Sequence, residues 1–288
     1  MAGEVLFTVQ RGEKMKRNVR SCLASMTVLV AALLSTACET VQTTQSGVVG
    51  IERQQRMMIS AQELDQAATK QYSELLAEQK KKNALNVNAA QVRRVRTIAD
   101  RLIAQTGVFR ADARSWKWEV NVLTADDVNA WCMPGGKIAV YSGLIEKLKI
   151  TDDELAAVIG HEIAHALREH ARERASEQAV AGSLISLGSA ILGVGDLGQQ
   201  GAQYAYMGLI GLPNSRSHET EADRIGVELA ARAGYDPRAA ITLWKKMGQA
   251  GGSAPPKLLS THPSSEDRIR DLTDYSARVM PLYQQARR

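Results

Sequence analysis

The chain holds three cysteines in 288 residues, Cys22, Cys38 and Cys132, and the first two fall within an atypical amino-terminal stretch. A body with a single cysteine cannot close an internal disulfide, so a disulfide-stapled scaffold is excluded. Cys132 is expected to be buried beside Trp131 and Met133. There is no basic stripe and no aromatic cluster, which argues against a nucleic-acid partner. The formal net charge of +5 is largely an amino-terminal effect: residues 1–37 carry five basic and two acidic residues, leaving 31 against 29 in the remainder, a net +2. Only one long uncharged apolar run is present, which excludes a polytopic membrane protein. No internal repeat is found, so a repeat array is excluded as well.

That single apolar run supplies an address. Lys14, Lys16, Arg17 and Arg20 precede an uncharged stretch from Ser21 to Cys38, the n-region and h-region of a secretory signal. Residues 1–37 are therefore expected to be a signal peptide, with Met15 a better start than Met1 and residues 1–14 an upstream extension. The small residues before Cys38 and the polar stretch from Glu39 resemble a bacterial lipoprotein processing site. This implies a lipid on Cys38 and a domain on the periplasmic face of a membrane, with Glu39 after the cysteine favouring the outer membrane. The alternative is a short amino-terminal membrane anchor. Residues 38–58 are expected to be the lipidated cysteine and a linker, and residues 59–288 the functional domain.

Within that domain the most informative segment is His161-Glu162-Ile163-Ala164-His165. Positions i and i+4 share a helix face, so the two imidazoles can ligate one ion while Glu162 stands beside it as a base. Thr151 with Glu154 forms a capping box, and the residues between are strongly apolar. The motif thus sits mid-helix in a helix that looks buried, where two histidines and a glutamate are costly unless a metal satisfies them.

Two ligands do not hold zinc. A third histidine ten residues after the first is missing: Ala171 stands there, Arg168 fills the slot where that pattern needs glycine, and His170 is one residue short. The other completion is a glutamate on a later helix, and the stretch from Ser217 to Glu228 is rich in carboxylates. Glu219 and Asp223 are i, i+4 and share a face, whereas Glu221 points away from both. Glu219 is read as the third ligand and Asp223 as its neighbour, orienting a histidine or the helix.

The order His161-Glu162-x-x-His165, Glu219-x-x-x-Asp223, then Thr261-His262-Pro263 with Arg268, preceded by Asn129 to Leu144, resembles the zinc metalloproteases of the HtpX and CAAX prenyl endopeptidase type, peptidase family M48. The resemblance covers roughly residues 85 to 278, and in layout the chain looks most like the short lipoprotein members. It implies a gluzincin-like α+β, mostly helical domain with a small sheet beside the motif helix. One Zn2+ would be bound by His161, His165 and Glu219, with Glu162 as general base. It also implies unfolded or misassembled envelope proteins as substrates and outer-membrane assembly machinery as a possible partner. His262 would lie near the metal, as a fourth ligand that keeps the enzyme latent or as a substrate contact. Arg268, His262, His218 and Tyr206 are the candidates for stabilising the oxyanion.

The remaining elements follow from periodicity and punctuation. Helices are expected from about Ser60 to Lys82 and Ala89 to Thr106, a half-buried strand from Trp116, and a hairpin around Pro134-Gly-Gly. The hairpin is either a substrate-binding sheet edge or simply structural. Residues 179–214, glycine-rich with the single charge Asp196 from Ala179 on, are read as a mobile lid over the catalytic face or a helical hairpin completing the core. Gly234 is expected to close the Glu219 helix, Asp236-Pro237 to open the next, and Ser264 to cap the last. The rival to the peptidase reading is a zinc-containing lipoprotein chaperone or assembly scaffold with little turnover.

Overall fold

Thr151 accepts a hydrogen bond from the backbone N–H of Glu154 while the Glu154 side chain accepts one from the Thr151 N–H, and this box opens the helix on which the fold is built. The computed structural model describes residues 39–192, 214–250, 256–263 and 265–288, the side chains of 182–192 excepted. Cys22, Cys38, Tyr206 and the glycine-rich stretch after Leu192 lie outside the described residues. The chain divides into two compact units, Met1–Thr40 and Val41–Arg288.

The described strands are β1 (Glu39–Val41, straddling the unit boundary), β2 (Gln55–Met57), β3 (Glu119–Leu123), β4 (Ala130–Met133) and β5 (Lys137–Tyr141). The helices, all in the larger unit, are α1 (Ala61–Lys81), α2 (Ala89–Ile103), α3 (Ser142–Leu148), α4 (Asp152–Leu167), α5 (His170–Leu192), α6 (Arg216–Arg232), α7 (Ala239–Gln249), α8 (Lys257–Thr261) and α9 (Glu266–Ala286). The expected mostly helical α+β fold is observed. No helix among the described residues is long and apolar enough to cross a membrane.

The three-stranded sheet has the order β3-β5-β4, with β3 parallel and β4 antiparallel to the central β5. The expected hairpin is present, and Gly135 and Gly136 both adopt positive φ in its turn. A side chain at Gly136 would meet the Trp118 ring at 2.6 Å, so the position is closed on two counts. β3 departs from simple alternation, because Asn121, Val122 and Leu123 are all buried. The reason is that helices cover both faces. Leu123, Trp131, Met133 and Ala139 pack with Ala68 and Tyr72 of α1, while Val122, Ile138 and Val140 join the main core.

α4 is enclosed nearly all round, by α2, α6, α7 and β4. From Leu155 to Leu167 every residue is buried, which explains an apolar sequence without a polar stripe.

Two expectations need correction. Residues 41–58 are not a free linker: Val49 and Ile51 enter the main core, and Thr44, Gln55 and Met57 are buried. The Val49 N–H donates to Glu228 Oε2 at 3.0 Å, and Gln45 N–H to the Phe109 carbonyl at 2.7 Å. The apolar residues here are too scattered to show a period, yet Val49, Ile51 and Met57 each find a slot in the domain while Val48 stays exposed. The cap of α9 is Ser265, which accepts from the Arg268 N–H, one residue later than expected. Gly234 closes α6 with φ +76 as anticipated, and Asp236 Oδ1 accepts from the Arg238 N–H ahead of α7.

Candidate metal centre

α4 and α6 cross at a pair of glycines. A side chain at Gly226 would sit 2.9 Å from the His161 backbone nitrogen, and one at Gly160 would sit 3.0 Å from the Gly226 carbonyl oxygen. This close approach sets His161 and His165 of α4 against Glu219 and Asp223 of α6. His161 Nε2 and His165 Nε2 are 3.0 Å apart, and each lies 3.4 Å from a Glu219 carboxylate oxygen. His262, in the turn after α8, brings Nδ1 to 3.2 Å from His161 Nε2 and 2.9 Å from Glu219 Oε1. All four residues are buried.

Two observations test whether a metal fits. Nitrogen and oxygen ligands about 2.0–2.1 Å from a tetrahedral zinc stand about 3.3 Å from one another, and the 3.0–3.4 Å separations here match. Nearby, Glu162 Oε1 is buried without a hydrogen-bond partner, with His262 Nε2 at 3.4 Å. Unpaired groups of this kind are costly in a core and mark a place where something else binds. Burial raises the Glu162 carboxyl, against the opposing pull of His262 and His161. Burial also drives His165 well below the usual imidazole range, which keeps it neutral with a free lone pair. His161 is disfavoured as a cation by the same burial, but hydrogen bonding with Asp223 and Glu219 outweighs it and lifts the group to about 9. The ligand atoms of His161, His165, Glu219 and His262 lie close enough together to hold a metal ion, whose binding would displace the His161 proton.

Asp223 brings Oδ1 to 3.0 Å from His161 Nδ1. Arg268 from α9 is buried, donates to Asp223 Oδ1 at 2.7 Å, pairs with Glu219 Oε2 at 2.7 Å and donates to the Pro263 carbonyl at 3.2 Å. Its guanidinium lies 3.5 Å from the Trp244 ring centroid. So disposed, it orders the two carboxylates rather than reaching toward the cavity.

His218 does not approach this cluster. It belongs to a second group, 3.0 Å from Glu173 through Nε2 and stacked on His170 at 4.3 Å between centroids. His170 in turn has Nδ1 at 2.8 Å from His165 Nδ1 and Nε2 at 3.1 Å from Glu221 Oε2. Sequence reasoning missed His170 because the helix breaks between the two histidines: Glu169 takes φ +49, and the turn folds His170 back beneath His165. No helical spacing signals such a contact.

On the outer side, a cavity of about 700 Å³ is lined by Glu162, His165, His262, Trp131, Cys132 and Leu64, among others. It runs along β4, an edge strand of the sheet. Cys132 is half-buried at this wall rather than fully enclosed, and burial raises its thiol well above the ordinary value.

The pattern of Peptidase family M48 matches residues 88–276, which takes in both helices of the centre and the strands beside it. Mitochondrial metalloendopeptidase OMA1 of Schizosaccharomyces pombe is 38% identical over 184 residues, 63% of this chain and 52% of the relative. OMA1 of Arabidopsis thaliana is 40% identical over 165 residues, 53% of this chain and 30% of that protein. The beta-barrel assembly-enhancing protease of Escherichia coli is 30% identical over 176 residues, 57% of this chain and 36% of its own length. The aligned region thus spans about half or less of these relatives. A family match over most of the chain, on the helices that gather two histidines and a glutamate around one point, shows that the chain belongs to Peptidase family M48.

Proposed function

We propose that the protein is a membrane-anchored zinc endopeptidase of the bacterial cell envelope that hydrolyses peptide bonds of misfolded or unassembled proteins. The observation that carries this reading is the convergence of His161, His165 and Glu219 beside an unpartnered Glu162 oxygen, at the wall of a cavity bordered by a sheet edge. Zinc, when bound by those three residues, supplies Lewis acidity toward water and the scissile carbonyl. Glu162, raised by burial, accepts the proton of the attacking water and delivers it to the leaving amine. An extended substrate segment pairs with the outer edge of β4 through backbone hydrogen bonds, which asks for an unfolded chain rather than a particular sequence. The lipid anchor at Cys38, the outer-membrane location and a link to outer-membrane assembly belong to the same proposal. They rest on the amino-terminal sequence and on the similarity to the beta-barrel assembly-enhancing protease.

One observation favours a second reading. His262 Nδ1 is close enough to His161 Nε2 and Glu219 to complete a set of four donors, and a closed site suits a latent enzyme or a zinc-bound scaffold. Zinc content and cleavage of unfolded casein by the wild type and Glu162→Gln test the main reading. About one zinc per chain, with cleavage abolished in the variant, is expected; a wild type without zinc would refute it. If zinc is present but neither protein cleaves, His262→Ala separates the cases: activity gained means latency, and continued silence means a scaffold.

A further inference from the structure

Behind His165, away from the cavity, lies the second buried polar group, formed by His170, Glu173, His218, Glu221 and Arg168, with the partly exposed Arg53 against it. Its histidines and Glu173 are near enough to hold a cation of their own. Charge argues against that: Arg53 donates to both oxygens of Glu173 at 2.6 and 2.8 Å, and Arg168 donates to Glu221 at 2.8 Å. Two guanidiniums already neutralise the carboxylates and would repel an added cation.

The arrangement is better explained as a directed hydrogen-bond chain ending on His165. With Nδ1 of His165 and Nδ1 of His170 at 2.8 Å, one nitrogen donates and the other accepts. In the metal-centre reading His165 Nε2 is the ligand atom beside Glu219 and His161 Nε2, so the lone pair belongs there and the proton on Nδ1. His165 Nδ1–H therefore donates to His170, whose own proton sits on Nε2 and donates to Glu221 Oε2. Stacking on His218, with 18° between the rings, fixes the plane of His170. Glu221 is held by Arg168 and by Arg53, the latter from the segment between β1 and β2. The two ligand histidines thus have matching supports, both drawing a carboxylate from α6: His161 leans on Asp223 and Arg268, His165 on His170, Glu221 and Arg168.

Resting on the metal-centre reading of His161, His165 and Glu219, we propose that His170 is a positioning residue that locks the tautomer and ring orientation of His165, and that Arg53 secures it through Glu221. Outer partners of ligand histidines typically change metal affinity by about 10–100-fold when removed.

The test is zinc affinity of the purified full chain by competition with a chromophoric chelator, together with the visible spectrum of the cobalt-substituted protein. His170→Leu is expected to weaken zinc by about 10–100-fold and to shift the cobalt bands. His170→Gln, which restores an acceptor, should recover most of the affinity, and Arg53→Gln should fall between. Equal weakening by Leu and Gln would overturn the proposal, since packing alone would then explain the effect. Unchanged affinity in His170→Leu would also overturn it while leaving the metal centre intact, whereas a wild type that binds no zinc would remove both. If His170→Leu does not fold, Glu221→Gln probes the same link: weakened zinc binding supports the chain, and unaltered binding overturns it.

Discussion

Asp223 Oδ1 stands 3.0 Å from His161 Nδ1 and also accepts from Arg268 Nη2 at 2.7 Å, so the carboxylate that orients the imidazole is itself oriented by a buried guanidinium. Asp223→Asn keeps the shape but turns an amide N–H₂ toward one of its two donors. Zinc affinity is expected to fall by about 10–100-fold with the fold retained. Competition with a chelator, alongside circular dichroism, measures both; undiminished affinity would mean that His161 needs no such support.

The crossing of α4 and α6 leaves no room for a methyl group at Gly226, where the added carbon would meet the backbone of Gly160 and His161. Gly226→Ala is expected to destabilise the protein by about 1–3 kcal/mol and to spread His161 from Glu219. At Gly160 only one atom lies as near as 3.0 Å, so Gly160→Ala should cost less. Urea unfolding of the two variants gives the order directly, and a milder effect at Gly226 would contradict this geometry.

Acid should act on the helix start as well as on the centre. Burial alone would raise the Glu154 carboxyl, but Lys246, the Thr151 backbone N–H and Thr242 together hold it below the usual range. A carboxylate depressed in the folded state contributes stability above its unfolded pKa, and loses it as pH falls through the folded value. The Glu154 contribution is thus complete near neutrality and fades in the acid range below the ordinary carboxylate pKa. Glu154→Gln is expected to cost about 1 kcal/mol at pH 7 and progressively less as the pH is lowered through that range. Thermal melts of both proteins from pH 7 to pH 3 check the convergence.

Arg268 is not replaceable by another cation. A lysine cannot bridge Asp223, Glu219 and the Pro263 carbonyl at once, nor lie flat on Trp244. Arg268→Lys should lower stability by about 2 kcal/mol or more and weaken zinc binding. Calorimetry with zinc titration reads the two effects, and a variant equal to wild type in both would show that the fork geometry is dispensable.

The inner centre was legible because its signals are local: a capping box, an i, i+4 histidine pair with its glutamate, and a Glu219–Asp223 pair on one helix face. The small sheet was legible from a glycine turn between two short apolar runs. What escaped was everything held by long-range polar contacts. His170 lies five residues from His165 across a helix break, and Arg53 reaches Glu173 over 120 residues. The segment from Gln45 to Met58 reads as polar and aperiodic, although Val49, Ile51 and Met57 are buried. A buried guanidinium such as Arg168, fully enclosed among Glu221, Thr44 and the Arg53 carbonyl, leaves no trace in a hydropathy pattern.

The centre is assembled from pieces far apart along the chain: Asp223 comes 62 residues after His161, and His262 comes 101 after it. During synthesis the motif helix emerges long before α6 and the His262 turn, with two histidines and a base but no carboxylate opposite them. The donor set of the proposed centre is therefore complete only when α6 docks on α4 at the glycine crossing. On the proposed reading, a copy in which α6 has not docked lacks Glu219 and so a complete ligand set.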